Sequence, residues 1–393
     1  MRARHALVFV AAAVALSACA LIVGGLDGTR DFDGGAPSDA TYSRTDAIAH
    51  LDASHHSADG GADSSHPRPD GGTDAGPRDD GGGACAPGTC QPVLVVGSQP
   101  KIPLLVVVPA DETLYWIGDH GQIFFKFQGG PVSGLPSGEG VLNFVVDDDN
   151  VYWVSNSQEL IARGPRDGGG SPTTLATVDY GTGMAVDATY LYWIDTTHTG
   201  NFVYRYPKTA DAAAPDGGST TLYTNGGGLT SLAIDSQNLY ILGYSEMISL
   251  LRSAPTAPVN LPTPTLNASF RLAGDPSGVT WYTAHSVDDA GVLTRYSPSN
   301  AAQTSIAASP GIVQAASDGV HVYWIEDPAA GTADASAGAA VATLRRAAID
   351  GGAAVVLVAR LLHPTAIAVG QDAVFWAAEQ TGGASYAISS VPK

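Results

Sequence analysis

Beyond residue 90 the apolar positions come in short runs separated by polar turns, with no helical spacing. The stretch Gly183-Met-Ala-Val-Asp-Ala-Thr-Tyr-Leu-Tyr-Trp-Ile-Asp195 shows the pattern. An apolar run, an Asp with a few polar residues, and a second run carrying Tyr-Trp predict two short strands joined by a tight turn. The phrase returns seven times, anchored at Tyr115-Trp116, Tyr152-Trp153, Tyr192-Trp193, Tyr240-Ile241, Thr280-Trp281, Tyr323-Trp324 and Phe375-Trp376. All six tryptophans stand at this one place in the repeat, and successive anchors lie 37 to 52 residues apart, the length of a four-stranded unit.

Each unit reads as four strands. Strand a is the run before the turn, as in Leu142–Val146, Gly183–Val186, Ser231–Ile234 and Thr365–Val369, and strand b carries the anchor. Strand b does not alternate polar with apolar, as expected where neighbouring sheets cover both of its faces. Strand c carries Arg163, Arg205, Arg252, Arg295 or Arg345, expected to point outward. Asp167-Gly-Gly, Asp216-Gly-Gly and Asp350-Gly-Gly then supply turns. Strand d closes the unit, as in Thr173–Thr177, Ser219–Tyr223 and Ala354–Val358. The last unit stops after strand c, at Ala384–Val391, while Gln91–Val96 precedes the first strand a and matches Ala354–Val358. The pattern therefore predicts an all-β, seven-bladed β-propeller over residues 91–393 whose N-terminal strand completes the last blade and leaves no free edge at the seam.

Ala-Val-Asp followed after a short gap by Tyr-Trp resembles the YWTD and NHL families of propeller repeats. The likeness covers the whole chain beyond Cys90. The Thr-Asp of YWTD is missing from most copies, Tyr192-Trp-Ile-Asp195 coming nearest, and seven units stand where the receptor YWTD domains have six. The resemblance implies the fold, with recognition of proteins or glycans as the usual role, and transfers no catalytic residue.

The first 90 residues have another character. Met1–His5 is basic, Ala6–Leu26 is uncharged, and Leu16-Ser-Ala-Cys19 lies inside that stretch. These four residues resemble the lipobox of bacterial lipoproteins. That resemblance implies a signal peptide over residues 1–19, a lipid on Cys19 and a place in the cell envelope, outside the cytoplasm. The alternative is that Ala6–Leu26 stays in the bilayer as an uncleaved helical anchor. From about Asp27 to Ala84 the chain is Asp, Gly, Ala, Ser, His and Pro with hardly an aliphatic side chain, so residues 20–90 read as a disordered tether. As a Gly-rich coil it spans about 45 Å root-mean-square. Cys85 and Cys90 at its end form a possible local disulfide in an oxidising compartment. They lack the second pair or nearby histidine that zinc needs, and His50, His55, His56 and His66 read as solvated.

A net charge of −19 argues against nucleic acid as a partner. Asp147, Asp187 and Asp235 recur at the a-to-b turn, which favours a backbone-bonding role over calcium binding. In an antiparallel blade the d-to-a and b-to-c connections emerge on one face. Lys101, Glu139, Tyr180, Asn225 and His363 belong to the first set, and His120, His198 and His285 to the second. All eight are candidate ligand-binding residues at the channel mouth. The expected function is a membrane-tethered module that binds a protein or glycan, with no cofactor, metal or assigned catalytic residue. The alternative is a propeller lyase or hydrolase using the base, acid and phenol at that mouth.

Overall fold

The computed structural model describes residues 91–209, 218–244, 246–262, 272–283, 291–309, 311–328, 341–383 and 385–393. Cys19, Cys85, Cys90, the tether histidines and His285 lie outside them.

Strand β1 (Val93–Gln99) comes first. The first blade is β2 (Leu105–Val108), β3 (Thr113–Ile117), β4 (Ile123–Lys126) and β5 (Val132–Gly134), and the second is β6 (Val141–Val146), β7 (Asn150–Ser155), β8 (Leu160–Pro165) and β9 (Thr173–Thr177). The third is β10 (Gly181–Val186), β11 (Tyr190–Thr197), β12 (Gly200–Pro207) and β13 (Thr220–Asn225), and the fourth is β14 (Leu229–Ile234), β15 (Asn238–Gly243), β16 (Met247–Leu251) and β17 (Val259–Leu261). The fifth is β18 (Leu272–Asp275), β19 (Gly278–Thr283), β20 (Gly291–Ser297) and β21 (Ala302–Ser309), and the sixth is β22 (Ile312–Ser317), β23 (His321–Glu326), β24 (Ala342–Ala348) and β25 (Val355–Leu361). The last is β26 (Ala366–Val369), β27 (Ala373–Glu379) and β28 (Tyr386–Pro392), with β1 as its fourth strand.

The first strands of successive blades touch in sequence, and β26 returns to β2, so the seven sheets close into a ring. The seam is the predicted one: Val93 pairs with Ser390, Leu94 with Ser389 and Val96 with Ile388. The chain is a seven-bladed β-propeller.

Every tryptophan is buried, with no more than 2% of its surface exposed. The indole nitrogens of Trp116, Trp153, Trp193, Trp281 and Trp324 have no hydrogen-bond partner, so these rings serve as volume between the sheets.

The repeated aspartate knits the framework. One oxygen of Asp187 accepts the backbone amides of Thr189 and Tyr190, both at 2.7 Å, which fixes the turn. Its other oxygen accepts the Tyr192 hydroxyl at 2.8 Å. Asp147 with Tyr152, Asp235 with Tyr240 and Asp318 with Tyr323 repeat the arrangement at 3.1, 2.5 and 3.1 Å. A cation at the end of the next blade's strand c then closes on the same carboxylate. Lys208 reaches Asp147 at 2.7 Å, Arg252 pairs with Asp187, and Lys393 reaches Asp318 at 3.0 Å. Arg166 does the same to Asp111 across the first junction. Both oxygens of Asp147, Asp187 and Asp318 are thus committed within the fold. Burial opposes the charge on Asp187, yet the two amides, the Tyr192 hydroxyl and Arg252 outweigh it and hold the carboxyl below its usual range.

Polar residues inside the innermost strands bond sideways to the neighbouring blade. The Asn143 amide donates to the Thr182 carbonyl at 2.8 Å, the Leu272 amide to the Ser231 hydroxyl at 3.2 Å, and the Ile367 amide to the Gln314 side chain at 3.0 Å. The strand-c arginines are not uniformly outward. Arg295 is 2% exposed and paired with Asp275, while Arg205 lies over the Tyr190 ring with its guanidinium carbon 4.7 Å from the centroid.

Candidate functional site

An innermost strand is covered by its neighbours except where it faces the axis, so its half-exposed residues mark the channel wall. Among the described residues these are Leu142, Thr182, Thr230, Val313 and Ala315, with Ile234 at the end of β14. None is ionisable. Any acid or base at the mouth must come from the connections.

The d-to-a and b-to-c connections do emerge together, and the described candidates fall at different junctions around that face. Lys101 is exposed between β1 and β2. His120 occupies a one-turn 3-10 segment with φ of 55° and lies 3.2 Å from Asp119. Its carbonyl accepts the Gly140 amide at 2.8 Å, which brings His120 beside exposed Glu139 at the junction of the first two blades. The Glu139 carbonyl is held by the hydroxyls of Ser155 and Ser157 at 3.0 and 2.9 Å. His198 is exposed between β11 and β12, flanked by a bond between Thr197 and Thr199. His363, with φ of 39°, faces Glu379 of the last blade at 3.8 Å. Asn225 is the last residue of β13 and not part of a loop.

Two of the candidates, Tyr180 and Asn225, belong to one continuous rim across the third and fourth blades. The amides of Asp179 and Tyr180 both donate to Asp195 at 3.0 Å, and the Tyr180 carbonyl accepts the Thr196 amide at 2.9 Å. The Thr196 hydroxyl donates to Asn201 at 2.7 Å, and Asn201 to the Gly227 carbonyl at 2.6 Å. Asn225 accepts the Gly227 amide and donates to Glu246, which also accepts the Tyr223 hydroxyl at 3.0 Å. The Tyr244 amide donates to the Gly228 carbonyl at 3.0 Å. The rings at the two ends are free: Tyr180 is 51% exposed and Tyr244 58%.

The electrostatics follow the packing. Burial, then the bond to Glu246 and its charge, push the Tyr223 hydroxyl up to about 12. Burial raises the Asp195 carboxyl, helped by repulsion from Asp179 and opposed by the two amides. Tyr244 and Glu246 escape the sequence pattern because the fourth blade's b-to-c connection is only three residues long and carries no loop signature. Gly228 was the available clue, since a side chain there would collide with the Tyr244 ring. Among the described residues no three His, Cys, Asp or Glu side chains are grouped to hold a metal.

The sequence matches no protein-family model and no curated protein. Solved structures match by fold. A streptogramin B lyase superposes with a TM-score of 0.56 at 11% identity, over 77% of this chain and 97% of its own. A catalytically inactive virginiamycin B lyase from Staphylococcus aureus with quinupristin gives 0.56 at 12% identity, over 78% and 99%. An oligogalacturonate lyase in complex with manganese gives 0.54 at 13%, over 78% and 96%. At these identities the likeness is one of fold.

Proposed function

We propose that this chain is an extracytoplasmic propeller, tethered to the membrane through a lipid on Cys19, that binds a protein or glycan on the face of the d-to-a and b-to-c connections. The observation that carries the reading is the rim from Tyr180 to Tyr244. Exposed aromatic rings set at fixed places by a hydrogen-bonded backbone offer contact area at low entropic cost, and the Asn225–Glu246 pair between them supplies polar specificity. The rest of the surface offers less freedom to vary, because blade faces and strand edges are used by the fold. The lyase or hydrolase reading has less behind it: the solved neighbours named above are lyases, but at that identity they transfer no chemistry. Among the described residues the axis-facing positions carry no acid or base, and His120, His198 and His363 belong to connections of different blades.

The test is an array of envelope glycans together with capture from cell-envelope extract, comparing the natural chain with Tyr180→Ala/Tyr244→Ala. Loss of binding at an unchanged Tm supports the reading. Protein capture that persists, glycan binding that survives these changes and also Ser236→Trp on the opposite face, or turnover of a captured substrate that disappears with His363→Ala, goes against it. Mass spectrometry decides the tether: a mature N-terminus other than lipidated Cys19 would leave Ala6–Leu26 as a plain anchor.

A further inference from the structure

On the opposite face, at the junction of the third and fourth blades, an open groove encloses about 550 Å³, within the range of small-ligand sites. Its lining departs from the repeat in two places. Two residues before the strand-b anchor the other blades carry Thr113, Asn150, Asn238, Gly278, His321 or Ala373, whereas the third blade has Tyr190. Just before the interblade cation stand Pro165, Pro207 and Pro392, but in the fourth blade Leu251, which is 44% exposed. Both line the groove. The framework needs neither side chain, since the junction between the second and third blades closes without them.

The groove is also prepared. Arg205 covers the Tyr190 ring and Tyr192 packs beside it with centroids 6.2 Å apart, which restricts its rotation. The charges at the base cancel: Asp187 is satisfied by Arg252 and Tyr192, and the Arg252 guanidinium also donates to the carbonyls of Asp235 and Ser236 at 2.9 and 2.7 Å. Around the aromatic and aliphatic walls, Thr189, Ser236, Gln237 and Ser253 are exposed and uncharged.

From an aromatic platform, an internally neutralised base and a rim of hydroxyls and an amide, we infer that this groove is a binding site for a neutral saccharide. Sugar C–H faces lie against Tyr190 and Leu251, and sugar hydroxyls exchange bonds with Ser236, Gln237 and their neighbours. Among the described lining residues the cation is Arg252, already paired with Asp187, so the groove favours no anionic sugar, and an apolar peptide side chain leaves the hydroxyl rim unused. The site shares no residue with the rim on the other face, so it stands or falls separately from the function proposed above.

The test is titration calorimetry and saturation-transfer NMR on the full chain with cellobiose, maltose and N,N′-diacetylchitobiose. At least one should bind. Ser236→Trp, which fills the groove from an exposed position, should weaken that binding at least about tenfold at an unchanged Tm. Gln237→Ala should weaken it less, and Arg205→Ala should weaken it by releasing the Tyr190 ring. Absence of binding by all three sugars, or affinity that survives both Ser236→Trp and Gln237→Ala, would overturn the inference.

Discussion

Arg295 takes the place of a tyrosine: its two terminal nitrogens meet the carboxylate of Asp275 at 2.6 and 2.8 Å, where Asp147, Asp187, Asp235 and Asp318 accept a hydroxyl from strand b. The fifth blade has Thr280 at that strand-b position, and Thr280 lies directly opposite Arg295 in the ladder. The missing ring leaves the space through which the guanidinium reaches the turn. Ser277 and Ser317 complete the cage, and the pair is almost fully buried. Although burial works against the Asp275 charge, Arg295 outweighs it and holds the carboxyl below its usual range.

Removing one partner of that pair strands a buried charge. Arg295→Ser should cost about 3–5 kcal/mol in denaturant unfolding. Adding Thr280→Tyr rebuilds the arrangement of the fourth blade, where Tyr240 lies opposite Ser249 and bonds Asp235. The double variant should recover most of the loss. No recovery would mean that Arg295 is not a substitute for the ring.

In the third blade the strand-b tyrosine hydroxyl acts through the turn aspartate. Tyr192→Phe should cost about 1 kcal/mol. Phe375→Tyr should gain nothing, because Gly370 occupies the turn position of the last blade. Equal and opposite changes in the two variants, measured by chemical denaturation, would contradict the pairing.

Stability should fall at both ends of the pH scale. Asp187, Asp275 and Asp318 are depressed in the folded state, so their contribution is complete above the unfolded value of about 3.9 and is lost as pH falls through the folded values. Tyr115, raised to about 12 by burial despite Arg166, and the further raised Tyr152, Tyr192, Tyr240 and Tyr323 contribute below about pH 10 and lose that contribution as pH rises. Burial and then Arg346 lower the His321 imidazole, so its contribution is complete above the unfolded value of about 6.5 and is lost as pH falls through the folded one, and Tm against pH should be flat only between about 6.5 and 10. Asp318→Asn should soften the acid limb, and Tyr192→Phe the alkaline one.

Deleting residues 91–98 removes most of β1 and bares the edge of β28. A lowered Tm with aggregation is expected. Deleting residues 27–80 should leave Tm unchanged, and equal effects from the two deletions would contradict the role of the seam strand.

The repeat was legible because its logic is local: turn, aspartate and Tyr-Trp lie within a dozen residues, and the missing last strand has a visible match at Gln91–Val96. The five-residue spacing of Asp and Tyr was equally visible. Gly370 and Phe375 lose both partners together, which marks them as a bonded pair. Other features depend on register between distant segments. Lys208 and Asp147 are 61 positions apart, and the burial of Arg295 follows only once Thr280 is known to lie opposite it. The mouth candidates were chosen by connection alone. That placed them on one face but did not distinguish the bonded rim of Tyr180 and Asn225 from Lys101 and His198, which stand apart from it. Tyr190 passed as part of the repeat because Tyr192 stands beside it.

The most direct measurement of where the proposed ligand binds is amide hydrogen exchange on the full chain carrying Ser236→Trp, which fills the groove on the opposite face, alone and with the glycan or envelope protein proposed as its partner. The account predicts added protection at residues 179–181, 225–228 and 243–246. Protection confined to the a-to-b turns, or to the outer strands, would contradict it.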